Sequence, residues 1–180
     1  MNFAVLLSLF LSIPIYAADT FFMLDSMEKQ CNDGQMEQCY ALGRTYFNGQ
    51  EIAPNYEKAL VYYTKACDGN HAGGCVSLGE FYMSSDVRLL PSDPAKAQIL
   101  FDKAYTIQKA NCAKGIITEC TATGVMILNG IGIPETLDEN SVRKLMDSGM
   151  DYLRLGCQKG DTIACDAIHM YESLVPPNNP

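Results

Sequence analysis

Cys67-Asp68-Gly69-Asn70-His71-Ala72-Gly73-Gly74-Cys75 sets two cysteines eight positions apart, with glycines between them and a helical pattern on each side. The same interval recurs as Cys31/Cys39, Cys112/Cys120 and Cys157/Cys165, and these four pairs use all eight cysteines of the 180-residue chain. A unit this regular is a repeat, and the repeat governs how the rest is read. In three pairs a glycine follows the first cysteine by three positions (Gly34, Gly115, Gly160); at Cys67 it follows by two (Gly69). The first cysteine then ends one helix, the glycine caps it with a left-handed residue, and the second cysteine opens the next helix. A tight helical hairpin brings two such positions to disulfide distance. Many connectivities are open in principle, but local pairing treats every unit alike: Cys31–Cys39, Cys67–Cys75, Cys112–Cys120 and Cys157–Cys165. Zinc favours closer cysteine pairs, and a redox site would want Cys-x-x-Cys, which is absent.

Outward from the cysteines the pattern is helical. After Cys39 and Cys75, positions 0, +3, +4 and +7 read Cys39, Leu42, Gly43, Tyr46 and Cys75, Leu78, Gly79, Tyr82, one face of a helix. The helix after Pro54-Asn55 should bury Ala59, Tyr62, Tyr63, Ala66 and Cys67. In the third unit Tyr105 stands where a cysteine is expected and Cys112 comes seven residues later. Seven residues are two turns to within about 20°, so a longer helix still presents its cysteine on the same face. The fourth unit repeats this long form, with helices over about 139–157 and 162–173. The sum is an all-α solenoid of about eight antiparallel helices with one disulfide per repeat. No stretch alternates as a strand would.

Phe3 to Ile13 is an apolar run stopped by Pro14, and Ile15-Tyr16-Ala17 offers a cleavage site. The expected division is a signal peptide over 1–17, a solenoid over 18–174 and a disordered tail over 175–180. The leader and the regular cysteines both suit export into an oxidising compartment, periplasmic or secreted. The net charge of −8 and pI near 4.6 argue against nucleic acid as partner. No motif calls for a cofactor or a metal, and after cleavage no stable membrane insertion is expected.

Ala41-Leu42-Gly43, Tyr46, Gly49, Tyr56, Lys58-Ala59, Tyr62-Tyr63 and Lys65-Ala66-Cys67 resemble the Sel-one-like repeat, a relative of the tetratricopeptide repeat. With a cysteine pair in every unit and a leader, the chain is similar to the Helicobacter cysteine-rich protein family. The resemblance is strong from Cys31 to Gly79 and then fades: Thr123 and His169 replace the expected Leu and Gly, and Ile127 and Glu172 replace the tyrosine. It implies a right-handed superhelix of helix pairs that binds proteins. It also implies a second possibility, since some members are described as β-lactamases or penicillin-binding proteins.

Each implication has candidate residues. If offsets 0, +3, +4 and +7 pack, offsets +2, +5 and +9 point into the superhelix groove. Those rows are Ala41, Arg44, Asn48; Ser77, Glu80, Ser84; Ala122, Val125, Asn129; and Ala167, Met170, Leu174. The expected binding groove is built chiefly on Arg44, Asn48, Glu80, Ser84, Val125, Asn129 and Met170, with a protein or peptide as ligand. A penicillin-recognising enzyme needs Ser-x-x-Lys with a Lys-Thr-Gly strand. Ser26-Met27-Glu28-Lys29 and Ser141-Val142-Arg143-Lys144 match the first element, nothing matches the second, and Ser141 also reads as a helix cap. His71 and His169, the only histidines, read as turn and helix-surface residues. A scaffold is therefore the preferred reading, with β-lactam binding or weak hydrolysis as the alternative. Mapping the unreduced protein by proteolysis and mass spectrometry should recover four cross-links, each eight residues apart. Free thiols, or links between distant units, would overturn the architecture.

Overall fold

The computed structural model describes residues 15–49, 52–84, 91–134 and 136–174, with side chains from residue 20 onward. The expected tail, and the expected leader apart from the backbone of 15–17, lie outside the described residues. Among these residues there are eight helices and no strand: α1 (Ile15–Asn32), α2 (Met36–Asn48), α3 (Tyr56–Asp68), α4 (Ala72–Met83), α5 (Pro94–Ala113), α6 (Ile117–Leu128), α7 (Glu139–Gln158) and α8 (Thr162–Leu174). Each helix packs on the next, and α2 also touches α4 while α6 touches α8. Contacts confined to near neighbours in sequence make a solenoid.

Two kinds of junction alternate. The first is the hairpin α1/α2, α3/α4, α5/α6 or α7/α8, closed by a disulfide with Cα–Cα separations of 4.8, 4.5, 4.7 and 4.8 Å. Each such loop stabilises by about 2–3 kcal/mol in the chain-entropy account. Gly34, Gly115 and Gly160 take the left-handed turn position, at φ 92°, 89° and 89°. In the second hairpin the left-handed residue is Asn70 at φ 63°, while Gly69, the expected cap, sits at φ −79°. The left-handed residue is the third after the first cysteine in all four hairpins, so here it falls on Asn70, while Gly69 lies against the Met36 side chain. Glycine is spent on that close approach, and asparagine, which tolerates the left-handed region, makes the turn.

The second kind of junction, α2/α3, α4/α5 or α6/α7, is the more extensively packed. It rests on the glycine at offset +4. A Cβ there would lie 2.5 Å from the Tyr63 ring at Gly43, 2.5 Å from the Phe101 ring at Gly79, and 2.7 Å from the Gly149 carbonyl at Gly124. The buried residues of α3 are Ala59, Tyr62, Tyr63, Ala66 and Cys67, the face its sequence marked. Helices α5 and α7 have 20 residues against 13 for α3, two turns more, and Cys112 still faces the core.

The links entering α3 and α5 share one device. Asn55 and Asp93 cap their helices by accepting from the Lys58 and Lys96 amides at 2.9 and 3.0 Å. Their own amides donate to the Tyr46 and Tyr82 carbonyls at 2.8 and 2.9 Å. The two lysines then lie over the rings of those tyrosines, 4.8 and 4.3 Å from the centroids, a cation–π contact. At α7 the cap is Asp138, and Ile127 offers no ring.

Gly79→Ala should destabilise by about 1–3 kcal/mol through overpacking against Phe101. Phe101→Leu in the same chain should recover part of the loss. Thermal melting of the oxidised protein checks both, and an unchanged midpoint in the single variant would remove the close-approach account.

Candidate functional site: the outer face of the second helices

Helices α2, α4, α6 and α8 turn one face away from both junctions. The rows at +2, +5 and +9 lie on it, and all of their residues except Ala122 line three depressions. On α2, Ala41, Arg44 and Asn48 border a shallow one of about 200 Å³. The Arg44 guanidinium lies 5.9 Å from the Tyr40 ring centroid, and Tyr40 in turn stacks on His71 at 4.7 Å.

The second depression, about 140 Å³, is lined by Ser77, Glu80 and Ser84 of α4 with Phe47, Tyr63 and Phe81. Glu80 keeps an exposed edge, yet the surrounding walls strip part of its water and raise its carboxyl above the ordinary carboxylate value. Burial likewise pushes the Tyr63 hydroxyl up to about 12, against the opposing effect of its hydrogen bond with Ser77.

The third is the largest, about 510 Å³, and lies between α6, α7 and α8. Val125 and Leu128 form one side, Leu153 the floor, and Ala167, Met170, Tyr171 and Leu174 the other side. Asn129 and Asp166 supply its polar edge. Met170 is 63% exposed and Leu174 74%, so α8 carries large apolar side chains in open water.

Tyr63 packs in the core as its sequence position implies, while Phe47, Phe81 and Leu128, which also border the depressions, were not singled out. Offsets +6 and +8 flank the groove rows at about 100° per residue, and that was the available signal.

The remaining candidates fall elsewhere. Ser141 is not the cap of α7. Asp138 is, accepting from the Ser141 amide at 3.0 Å and from the Ser141 hydroxyl at 2.6 Å. Those bonds hold the Asp138 carboxyl below its usual value. The Ser141 proton is thus committed to a carboxylate. Ser26 accepts from Gln30 at 3.2 Å. His71 is more than a surface residue: its Nδ1 accepts from the Gly74 amide at 3.2 Å, capping α4. That bond leaves the proton on Nε2, which donates to Glu37 at 2.8 Å. His169 is exposed on α8. Among the described residues no group of three or more His, Cys, Asp or Glu could hold a metal ion, and no helix is long and apolar enough to cross a membrane.

The family model of the Sel1 repeat matches residues 39–71 and 72–106. The chain carries two Sel1 repeats, over residues 39–106. Its matched units run from a second helix into the following first helix, so each crosses a glycine junction, and the Cys67–Cys75 disulfide ties one to the next. Similar curated proteins include cytochrome c oxidase assembly factor 7 of Xenopus tropicalis, 26% identical over 76% of this chain and 57% of that protein. Cytochrome c oxidase assembly factor 7A of Xenopus laevis is 30% identical over 68% of this chain and 50% of that protein. The chain thus spans about half the length of the curated relatives it matches. Among solved structures, a Sel1 repeat protein from Oxalobacter formigenes aligns over 81% of this chain and 96% of its own, at 17% identity and TM-score 0.46. The protective antigen c5321 of uropathogenic Escherichia coli strains, which displays an SLR fold, aligns over 84% and 37%, at 19% identity and TM-score 0.47.

The raised Glu80 carboxyl has a testable sign. Its folded-state value exceeds the unfolded one, so its contribution is complete below the ordinary carboxylate range and is lost as pH rises through the raised value. Glu80→Gln does not titrate. The variant should therefore melt above the parent near about pH 7 and level with it near about pH 3. An advantage that does not change with pH would remove the desolvation account.

Proposed function

We propose that this Sel1 repeat scaffold is exported and binds a protein or peptide in the concave groove lined by its second helices, with no catalysis of its own. The observation that carries the reading is the 510 Å³ apolar cavity on the same face as the Arg44 and Glu80 rows. That volume falls within the range of about 300–1,000 Å³ at which a recess buries a ligand. Open apolar side chains such as Met170 and Leu174 cost solubility and are the usual mark of an interaction surface. The leader pattern and the four disulfides support a compartment outside the reducing cytosol. Two relatives named as assembly factors support the same broad class, a protein that works by holding another protein.

The contacts of the two Ser-x-x-Lys serines do not favour the β-lactam reading. Ser141 serves the α7 cap with its hydroxyl on Asp138 rather than Lys144, and Ser26 is bonded to a glutamine one turn away. Nitrocefin turnover, should a preparation show any, is expected to survive Ser26→Ala and Ser141→Ala together.

The decisive experiment uses the oxidised full chain to capture partners from envelope and host-cell extracts, followed by affinity measurement on the partner so identified. Met170→Asp with Leu174→Asp should weaken it by about tenfold or more, the size of an anchor contact, and leave melting unchanged. Combined alanine substitution at Arg44, Asn48 and Asn129 should also weaken it. Binding that survives both sets would overturn the groove as the site.

A further inference from the structure

The depression on α4 is built differently from its neighbours. Phe47, Tyr63 and Phe81 wall it, with Phe47 to Phe81 at 5.5 Å and 72° and Tyr63 to Phe81 at 6.0 Å and 62° between ring centroids and planes. Tyr63 and Phe81 are core residues that show only a rim there, and Phe47, 40% exposed, is the open ring of the three. Glu80 stands among them, and among the described residues its carboxylate has no ion-pair partner. Arg44, the cation across the groove on α2, is turned over Tyr40 instead.

We infer that this depression is a cation subsite, which takes the ammonium or guanidinium head of a lysine or arginine side chain from the bound polypeptide. The inference rests on the scaffold reading above and names the chemistry that one part of its groove selects. Aromatic faces attract a cation through their quadrupole, and more strongly once water is removed. The Glu80 carboxylate at the same place adds charge recognition and rejects anionic side chains. The volume, about 140 Å³, lies below that of sites for free small molecules, so the guest is the end of a side chain and not a whole metabolite. The surrounding walls strip part of the water from Glu80, and a cation seated beside it would offset that loss. The chain's net charge of −8 also draws a basic segment toward the surface.

The test titrates n-butylammonium chloride, a mimic of the lysine side chain, into the oxidised full chain. n-Pentanol serves as the neutral isostere, and the ring resonances of Phe47 and Phe81 are followed by NMR. Saturable shifts with butylammonium and none with pentanol are expected. Glu80→Gln and Phe47→Leu should each weaken the response by about fivefold or more. Phe47 is 40% exposed, so its variant keeps the fold. Equal response to pentanol, indifference to Glu80→Gln, or no saturation would each overturn the subsite. The same variants in the partner assay separate the two proposals. If capture depends on Met170 and Leu174 but not on Glu80, the groove stands and the cation subsite fails. If capture ignores every groove substitution, the groove fails, and the butylammonium titration still decides the subsite.

Discussion

A glycine one helical turn past the second cysteine lets the next helix approach until its ring touches backbone, and the stacking of the whole chain depends on that contact. Gly43 on Tyr63 and Gly79 on Phe101 leave no room for a methyl group. These junctions are packed more extensively than the hairpin junctions with which they alternate. The disulfides stand at the sparser ones. A solenoid is held by the sum of its unit and interface terms, so its weakest interface decides where it opens. Covalent bonds at alternate interfaces, with dense packing at the others, leave no weak plane across which α1–α2 or α7–α8 could peel away. The lysines add to the same order: Lys65 Nζ donates to Asn32 at 2.6 Å and Lys103 Nζ to the Cys67 carbonyl at 2.8 Å. Each cation thus ends up on the C-terminal end of the preceding unit's first helix, where the helix dipole favours positive charge.

Features with a short period were legible in the sequence. The cysteine interval, the offsets of the packing face and the two-turn insertion are all local counts, and Ala59, Tyr62, Tyr63, Ala66 and Cys67 lie where a helical wheel puts them. Features that depend on a residue one unit away were not legible. Gly69 lies against the side chain of Met36, 33 residues earlier, a contact that no local count shows. His71 becomes a cap with a fixed tautomer because Glu37 and Tyr40 of the preceding unit hold its ring. The depression around Glu80 draws Phe47 from α2 and Tyr63 from α3, and no count along α4 reveals it.

The departures in the last two units follow from the same junction. Thr123 replaces leucine in the fully buried row, but its hydroxyl donates to the Glu119 carbonyl at 2.7 Å, so no polar atom is stranded. Gly124 meets Gly149 instead of a ring, and two glycines bring α6 and α7 together backbone to backbone over Leu153. Asp161 then crosses the junction, accepting from the buried Thr121 hydroxyl at 2.7 Å while also bonding the Ile163 amide. His169, exposed on α8, stands where the other second helices carry glycine. Helix α8 exposes Ile163, Met170 and Leu174, and all three line the large cavity.

Rigidity and chemical gradation act together along this face. From α2 to α8 its surface passes from a cationic and amide-bearing stretch, through an acidic aromatic depression, to an apolar recess. A flexible array would have to lose conformational freedom on binding to set those three in register, and each ordered side chain would subtract about 0.5–1.5 kcal/mol from affinity. Here the register is set during folding by bonds that remain when the ligand leaves. A ligand on the proposed face would then bear most of the ordering cost, and each residue of an extended segment fixed there would add to it.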